Sequence, residues 1–161
     1  MTLTVGDRLP DATFKVKMGD ETKDVTTAEY FTGKKVVLFG VPGAFTPTCH
    51  RNHMPGFIEN AEAIKAKGVD NIAVVSTNDH HVMAAWREAS GATGKIDFLA
   101  DGNGTFIKAA GLENDSTHIG MGTRSKRFSA IVEDRVVRAI NIEDMPGKVT
   151  TSGADTILAV L

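Results

Sequence analysis

Two short apolar segments, separated by a helical pattern, stand out in the first half of the chain. They cover residues 36–41 and 71–76, and each is typical of a strand that is buried on both faces. Between them Phe57, Ala61 and Ile64 recur at helical spacing, and Gly68 follows as a plausible helix stop. The pattern therefore predicts a strand, a helix and a second strand parallel to the first.

A second unit of the same kind follows directly. One helical face is marked by Val82, Met83, Trp86 and Ala89, and Gly91 comes after it. The next strand is predicted at residues 96–100, and a strong turn then leads to a short helix over residues 106–111. The first two-thirds of the chain therefore alternates strands with helices, as parallel sheets do.

The pattern changes near the C-terminus. Residues 127–132 and 136–142 are strand-like and are joined by three residues, which predicts an antiparallel hairpin. Ser152 is predicted to begin a last helix, with Asp155 completing a weak capping box. A small accessory hairpin is predicted near the N-terminus, over residues 12–25. This order predicts an α/β protein of the thioredoxin-like fold, with a mixed central sheet flanked by helices.

Composition and charge narrow the function. The chain has 161 residues, of which 42% are hydrophobic and 24% charged, and we expect one domain over residues 1–161. A net charge of −2 argues against nucleic-acid and membrane-surface partners. No apolar stretch approaches the roughly 18 residues of a spanning helix. Residues 1–10 lack a signal pattern, so we expect a cytoplasmic protein.

The chemistry centres on Cys49, the one cysteine of the chain. It follows the first predicted strand and should lie in the first turn of the next helix, where free N–H groups favour a thiolate. A lone cysteine is more often buried and inert. Here the neighbours Thr46, Thr48, His50 and Arg51 are polar. They favour a reactive thiol.

The segment around Cys49 resembles a known family. Pro42, Thr46 and Cys49 have the spacing of the peroxiredoxin signature, and residues 41–49 (VPGAFTPTC) closely resemble the type-five, or plant type II, subfamily. Further similar segments follow in order along the chain, at residues 53–57, 76–79, 98–101 and 122–127. The resemblance implies a thioredoxin-like fold, antioxidant activity, and reduction of hydrogen peroxide and organic hydroperoxides.

The resemblance also implies the roles of particular residues. Cys49 is the expected nucleophile, which a hydroperoxide oxidises to a sulfenic acid. Arg127 is the expected active-site arginine, and Pro42 is expected to shield the thiolate. The Thr46 hydroxyl can either accept from the peroxide or donate to the sulfur. For contacts to the substrate we expect the backbone at Thr48 together with Phe45 and Arg124.

Arg124 is the runner-up to Arg127, and the alternative for both is a solvated basic segment. Phe45 and the segment from Leu112 to Ile119 are also candidates for a homodimer contact.

The absence of a second cysteine shapes the predicted cycle. Some relatives carry a resolving cysteine, either where this chain has residues 149–152 or at the position of Val74. Oxidised Cys49 must therefore be reduced by an external thiol through a mixed disulfide. Glutathione with glutaredoxin is the favoured reductant, and thioredoxin is the alternative. We expect no metal and no nicotinamide, flavin or haem cofactor.

Other functions explain the same residues less well. His50 and His53 are three residues apart, but a structural zinc site usually needs four ligands. A cysteine hydrolase would pair Cys49 with a histidine base such as His50 or His118. A dithiol oxidoreductase needs a Cys-x-x-Cys motif, which this chain lacks. A non-catalytic redox sensor or holdase remains as an alternative of a different class.

Overall fold

The computed structural model describes residues 2–145 and 147–161. Within that part of the chain the strands are, in order, β1 (Thr13–Met18), β2 (Glu21–Thr26), β3 (Lys35–Gly40), β4 (Asn71–Ser76), β5 (Asp97–Ala100), β6 (Glu113–Asp115), β7 (Thr123–Ser125), β8 (Phe128–Glu133) and β9 (Val136–Ile142). The helices are α1 (Thr27–Phe31), α2 (Met54–Glu59), α3 (Ala61–Ala66), α4 (His80–Ser90), α5 (Thr105–Ala109) and α6 (Ala154–Val160). A π-helical turn (Cys49–His53) precedes α2, and a 3₁₀ turn (Thr117–Ile119) lies between β6 and β7.

The central sheet is mixed, as the strand pattern predicts. Its strand order is β2-β1-β5-β4-β3-β8-β9, and β6 and β7 pair separately. Strands β3, β4 and β5 are parallel neighbours, whereas β8 runs antiparallel to β3 and continues into the predicted hairpin with β9. The α/β thioredoxin-like prediction is therefore confirmed. β3 occupies a central place, so the loop that follows it starts inside the protein.

The core lies on both faces of this sheet. Val37 and Phe39 of β3 belong to one apolar cluster, and Val36 and Leu38 belong to the other. Successive strand residues point to opposite faces, and all four are buried, which explains why this segment is continuously apolar in the sequence. None of the described helices is long and apolar enough to cross a membrane.

Some local predictions were wrong. The N-terminal hairpin is not accessory: β1 pairs with β5, so it forms one edge of the main sheet. The helix predicted through Phe57 and Ile64 is divided at Asn60, whose side chain donates to the Gly56 carbonyl. Ala89 is exposed, although it lies at the same helical spacing as the buried residues of α4.

The start of the last helix also differs from the prediction. Gly153, not Ser152, is the N-cap of α6. The Ser152 hydroxyl instead donates to the Glu143 carboxylate at 2.5 Å, so it is not available to cap the helix. Asp155 does lie in the first turn of α6, where a negative charge is favourable.

Gly40 allows β3 and β8 to pair at the end nearest the Cys49 loop. It pairs with Phe128, and a Cβ atom at Gly40 would lie 2.0 Å from Cε1 of the buried Phe128 ring. We expect Gly40→Ala to lower the free energy of unfolding by about 1–3 kcal/mol through overpacking, as measured by urea denaturation.

Gly56→Ala is the matched control. Gly56 lies in α2, and nothing lies within 4 Å of the position that its Cβ would take. That variant should be more stable than the wild type by about 0.5–1 kcal/mol, since alanine favours a helix. Equal urea midpoints for the wild type and Gly40→Ala would contradict the packing argument.

Candidate active site

The loop after β3 leads directly into a helical turn that carries Cys49. The loop is fixed by two hydrogen bonds: Ala44 N–H donates to Asn78 Oδ1 at 2.9 Å, and the Thr46 hydroxyl donates to the Gly43 carbonyl at 2.7 Å. Helical backbone begins at Pro47, a residue suited to a first helical position. Cys49 therefore lies in the first turn of the helical segment, as the sequence pattern predicts.

This first turn is wider than an α-helix. Met54 N–H donates to the Cys49 carbonyl, five residues back, and the turn from Cys49 to His53 is π-helical. Such turns are rare and often occur at functional sites. The side chains of Cys49 and His53 are both buried, at 0% and 1% exposure. The widened turn thus directs two polar side chains, four residues apart, into the protein.

Arg127 contacts both of these side chains. It lies immediately before β8 and is only 2% exposed. Its Nη2 donates to Cys49 Sγ at 2.9 Å, and its Nη1 lies 2.9 Å from His53 Nδ1. A guanidinium at this distance stabilises negative charge on the sulfur. The geometry therefore supports a thiolate at Cys49, inside the protein and next to a permanent cation.

Two contacts, one with Arg127 and one with the Ser152 carbonyl, together set the protonation of His53. An arginine has only donors, so His53 Nδ1 must be the acceptor. The proton is then on Nε2, which donates to the Ser152 carbonyl at 2.8 Å. Burial, and next the charge of Arg127, lower the pKa of His53 to about 4, against smaller opposing effects of Ser152 and Glu143. His53 is therefore neutral at physiological pH.

Glu143 holds the segment that carries the Ser152 carbonyl. Its carboxylate accepts hydrogen bonds from backbone and hydroxyl groups of Thr150, Thr151 and Ser152. Burial by itself raises the pKa of Glu143, but the hydrogen bonds from Ser152 and Thr150 outweigh it and lower the pKa to about 2. Glu143 is therefore ionised, and a continuous set of contacts leads from it to Cys49.

A cavity of about 190 Å³ is lined by Arg127 and by Thr48, the residue before Cys49, whereas Cys49 itself is not part of the lining. Its walls are mostly apolar and are formed by Pro42, Thr46, Pro47, Thr48, Ser116, Ile119, Met121, Arg127 and Gly147. The Thr46 proton is already donated to Gly43, so its oxygen remains able to accept a hydrogen bond. The cavity thus offers apolar walls, the Thr46 oxygen as an acceptor and the guanidinium that binds the sulfur.

The structure brings together most of the predicted site residues, but not all of them. Pro42, Thr46, Thr48 and Arg127 line the cavity, and the Thr48 hydroxyl donates to the Gly147 carbonyl. Phe45 does not line it.

The Phe45 ring instead lies 5.6 Å from His50 and 6.5 Å from Trp86, between ring centroids. Phe45 therefore lies outside the cavity lining, and its contact with the substrate stays a prediction. Arg124 is also outside the cavity lining and donates to the carbonyls of Met121 and Pro42, at 2.9 and 3.5 Å. It supports the loop instead.

The other histidine beside Cys49 has a separate partner. Trp86 Nε1 donates to His50 Nδ1 at 3.0 Å, whereas His53 contacts Arg127 and Ser152. A zinc site would need the rings of His50 and His53 to face one ion, whereas each ring contacts different partners.

Sequence analysis missed Glu143 and the carbonyl of Ser152. His53 has a usable signal, since residues four apart share a helix face. Glu143 has none of comparable strength, because its position relative to Arg127 depends on how β8 pairs with β9. The apolar residues Ile119 and Met121 of the cavity were also not predicted as site residues.

His53 should make the stability of the protein depend on pH. In the unfolded chain it takes up a proton near pH 6.5, whereas in the folded protein it stays neutral down to about pH 4. The unfolded state therefore binds more protons between these values, and stability falls as pH decreases from 6.5 to 4. The loss should be on the order of 3 kcal/mol.

Urea denaturation over this pH range tests the expectation. His53→Gln should remove most of the slope, while the same change at the exposed His118 should leave it. A slope in His53→Gln equal to that of the wild type would assign the effect to other groups.

Comparisons with known proteins agree with this fold. The Redoxin family model matches residues 4–158. The chain is 49% identical to Peroxiredoxin-2C of Oryza sativa subsp. japonica, covering 99% of this chain and 98% of that protein. It is 46% identical to Peroxiredoxin-2B of Arabidopsis thaliana, with coverage of 99% and 98%.

A solved structure is also similar. The reduced Prx3 of Vibrio vulnificus in complex with hydrogen peroxide superposes with a TM-score of 0.92 at 48% identity, and the match covers 99% of this chain and 96% of that one. Together with a single cysteine that is hydrogen-bonded to a buried arginine, these similarities assign the chain to the Redoxin family, as a one-cysteine peroxiredoxin of the type II, or type-five, group and therefore a thiol-dependent peroxidase.

Proposed function

We propose that Cys49 reduces hydrogen peroxide and organic hydroperoxides in the cavity beside Arg127. The observation that carries the proposal is the 2.9 Å hydrogen bond from Arg127 Nη2 to Cys49 Sγ. A thiolate is the nucleophilic form of cysteine, and this contact stabilises it. An arginine does not give up its proton, so it serves as a fixed charge and not as the base that a hydrolase needs.

The proposed reaction is a two-electron oxidation of the Cys49 sulfur by the hydroperoxide. The Cys49 thiolate attacks the terminal oxygen of the hydroperoxide, so that a sulfur–oxygen bond forms and the oxygen–oxygen bond breaks. The terminal oxygen keeps its hydrogen, and Cys49 becomes a sulfenic acid. The other oxygen leaves with the electron pair and takes a proton from solvent, which gives an alcohol or water.

Thr46, Arg127, Thr48 and Pro42 have distinct roles in this proposal. The Thr46 oxygen accepts from the O–H of the peroxide and orients it, because its own proton is held by Gly43. The Arg127 guanidinium stabilises the charge that develops between the oxygens. The backbone at Thr48 lies at the start of the helical turn and faces the leaving oxygen, and Pro42 covers the sulfur from water.

The walls of the cavity favour hydroperoxides with an apolar substituent. Pro42, Pro47, Ile119 and Met121 supply apolar surface around the Thr46 oxygen. A cavity of about 190 Å³ admits hydrogen peroxide or a small alkyl hydroperoxide. Binding of the organic group would come from burial of its apolar surface.

Substitution of the nucleophile tests the function itself. Cys49→Ser should abolish peroxide consumption, because no other residue of the chain supplies a thiol. The assay measures the disappearance of hydrogen peroxide and of an alkyl hydroperoxide with excess reducing thiol, above the thiol-only background. Retention of most of the turnover by Cys49→Ser would remove Cys49 from the reaction and contradict the proposal.

Thr46 and Arg127 are tested by stopped-flow oxidation of Cys49. Thr46→Val and Arg127→Gln should each slow this step by about 10²–10³-fold, the usual effect of losing one preorganised polar group. Thr46→Ser keeps the hydroxyl and should remain near wild type.

Arg87→Gln is the control for loss of a buried arginine. Arg87 is 7% exposed but donates to the Lys17 carbonyl, away from the cavity. The Arg87→Gln variant should be less stable than the wild type, and its oxidation rate should be unchanged. Wild-type rates in both Thr46→Val and Arg127→Gln would exclude these residues from the mechanism.

Glutathione with glutaredoxin is the proposed reductant. Cys49 is fully buried, so a small thiol reaches the sulfenic acid more readily than a folded protein does. Glutathione would form a mixed disulfide with Cys49 and release water, and glutaredoxin would then attack the glutathione sulfur. The cytoplasm is the proposed compartment because its thiols are kept reduced.

A mass measurement and a rate comparison test the reductant. Peroxide and glutathione added together should give a glutathione adduct on the wild type and none on Cys49→Ser. Turnover should then be faster with glutaredoxin and glutathione than with thioredoxin. If no adduct forms and thioredoxin is at least as fast, the choice of reductant is wrong, although the peroxidase reaction stands.

A homodimer that forms beside the cavity belongs to the same proposal. Phe45 and Ile119 are 47% and 62% exposed, which is high for large apolar side chains. Leu112, at the other end of the segment first considered, is fully buried and is part of the core. The available surface is therefore the exposed end of that segment together with Phe45.

A further inference from the structure

Glu143 lies next to Arg127 but does not line the peroxide cavity. Its backbone N–H donates to the Arg127 carbonyl at 2.9 Å, so the two residues are neighbours across the start of the β8–β9 hairpin. Its side chain turns instead to residues 150–152. Only 6% of the surface of Glu143 is exposed. A buried carboxylate needs hydrogen-bond donors, and this one has an unusual supply of them.

Three consecutive residues donate to the Glu143 carboxylate. Oε2 accepts from the backbone N–H groups of Thr150, Thr151 and Ser152, at 2.9, 2.9 and 2.7 Å. It also accepts from the Ser152 hydroxyl, and Oε1 accepts from the Thr150 hydroxyl. Five bonds to one side chain hold this segment against β9. Residues 150–152 belong to no helix or strand, so the hydrogen bonds to Glu143 hold this segment in place.

The segment held in this way carries the acceptor for His53. The Ser152 carbonyl accepts from His53 Nε2, and this bond acts together with the Arg127 contact to keep the proton on that nitrogen. With the proton on Nε2, the lone pair of Nδ1 faces Arg127 Nη1. If the Ser152 carbonyl moved away, the proton could shift to Nδ1. The Nδ1–H group would then face the N–H groups of Arg127, and the two could not form a hydrogen bond.

We propose that Glu143 is a positioning residue for the peroxide reaction. Glu143 holds residues 150–152 so that the Ser152 carbonyl keeps the proton of His53 on Nε2. His53 in turn aims the guanidinium of Arg127 at Cys49. The proposal rests on the proposed function of Cys49. Glu143 never contacts the peroxide. Its effect reaches Arg127 through two hydrogen bonds that lie end to end at 2.8 and 2.9 Å, and it reaches the sulfur through the bond from Arg127 Nη2.

The position of the guanidinium matters because charge stabilisation at a reacting centre depends on distance and direction. A displacement of about 1 Å at a catalytic group can lower a rate by as much as 10²-fold. Without the carboxylate, three backbone N–H groups of residues 150–152 would lose their acceptor and the segment would rearrange. Arg127 would then keep its charge but lose the His53 contact that helps to orient its guanidinium.

Glu143→Ala tests the proposal by two independent measurements. The first is ¹⁵N NMR of the histidine side chains, with the His53 signals assigned through His53→Gln. In the wild type the signals should be those of one tautomer, with the proton on Nε2. In Glu143→Ala they should become those of a mixture. The second is stopped-flow oxidation of Cys49 by hydrogen peroxide, which should slow by about 10- to 100-fold.

Asp101→Ala is the matched control. Asp101 is also a buried carboxylate, at 2% exposure, and it accepts backbone N–H bonds from Phe106 and Ile107, at the start of α5. Its loss should lower stability to a similar extent without changing the His53 tautomer or the oxidation rate. A merely structural role of Glu143 predicts that the two variants behave alike, and that result would overturn the proposal.

A milder variant covers the case in which Glu143→Ala does not fold. Thr150→Val/Ser152→Ala removes the two hydroxyl donors and keeps the three backbone bonds to Glu143. The His53 Nε2–H signal should shift and the oxidation rate should fall by a few-fold. An unchanged signal together with an unchanged rate would overturn the proposal.

The two proposals fail separately. If peroxide does not oxidise Cys49 in the wild type, the proposed function is wrong. If the wild type reacts and Glu143→Ala reacts equally fast with one His53 tautomer, only the positioning role is wrong.

Discussion

The burial of the Arg127 charge is the constraint on which the rest of this site depends. A guanidinium that is 2% exposed has almost no water to stabilise it and must find its partners within the protein. Cys49 Sγ and His53 Nδ1 are two of them. A thiolate would neutralise the charge, whereas a protonated His53 would add a second cation beside it. The same buried guanidinium therefore favours a charged sulfur and, together with the burial of the ring, keeps the histidine neutral.

The fold meets this constraint through the pairing of β3 with β8 and through a widened helical turn. Gly40 at the end of β3 pairs with Phe128 at the start of β8. Arg127, which precedes Phe128, therefore lies beside the start of the Cys49 loop. The π-helical turn then directs both Cys49 and His53 inward, to the two terminal nitrogens of one guanidinium. A sheet register and one irregular turn thus define the geometry around the sulfur.

A fully buried sulfur has a consequence for the catalytic cycle. In the proposed cycle, Cys49 as a sulfenic acid must meet a thiol from another molecule, since the chain has no second cysteine. The helical turn must open locally to let that thiol in. In some relatives the resolving cysteine lies where this chain has residues 149–152. Here residues 150–152 donate five hydrogen bonds to Glu143 instead. The segment therefore contacts the active site through His53 without supplying a thiol.

The sequence by itself determined the parts of this protein that depend on local pattern. Continuous apolar segments identified β3 and β4, because both of their faces are buried. Glycine stops identified helix ends, and the order of elements predicted the mixed sheet. The segment around Cys49 placed the thiol in the first helical turn and resembled one family closely enough to point to Arg127.

The tertiary structure decided what depends on residues far apart in the chain. A bulge between Ile131 and Val132 shifts the β8–β9 register by one residue, and Glu143 rather than Ile142 therefore lies across from Arg127. The contact between His53 and Ser152 joins residues 99 positions apart. Local periodicity carries no information on such contacts. These contacts form only when the whole sheet is assembled, because only then do Arg127 and its partners come together.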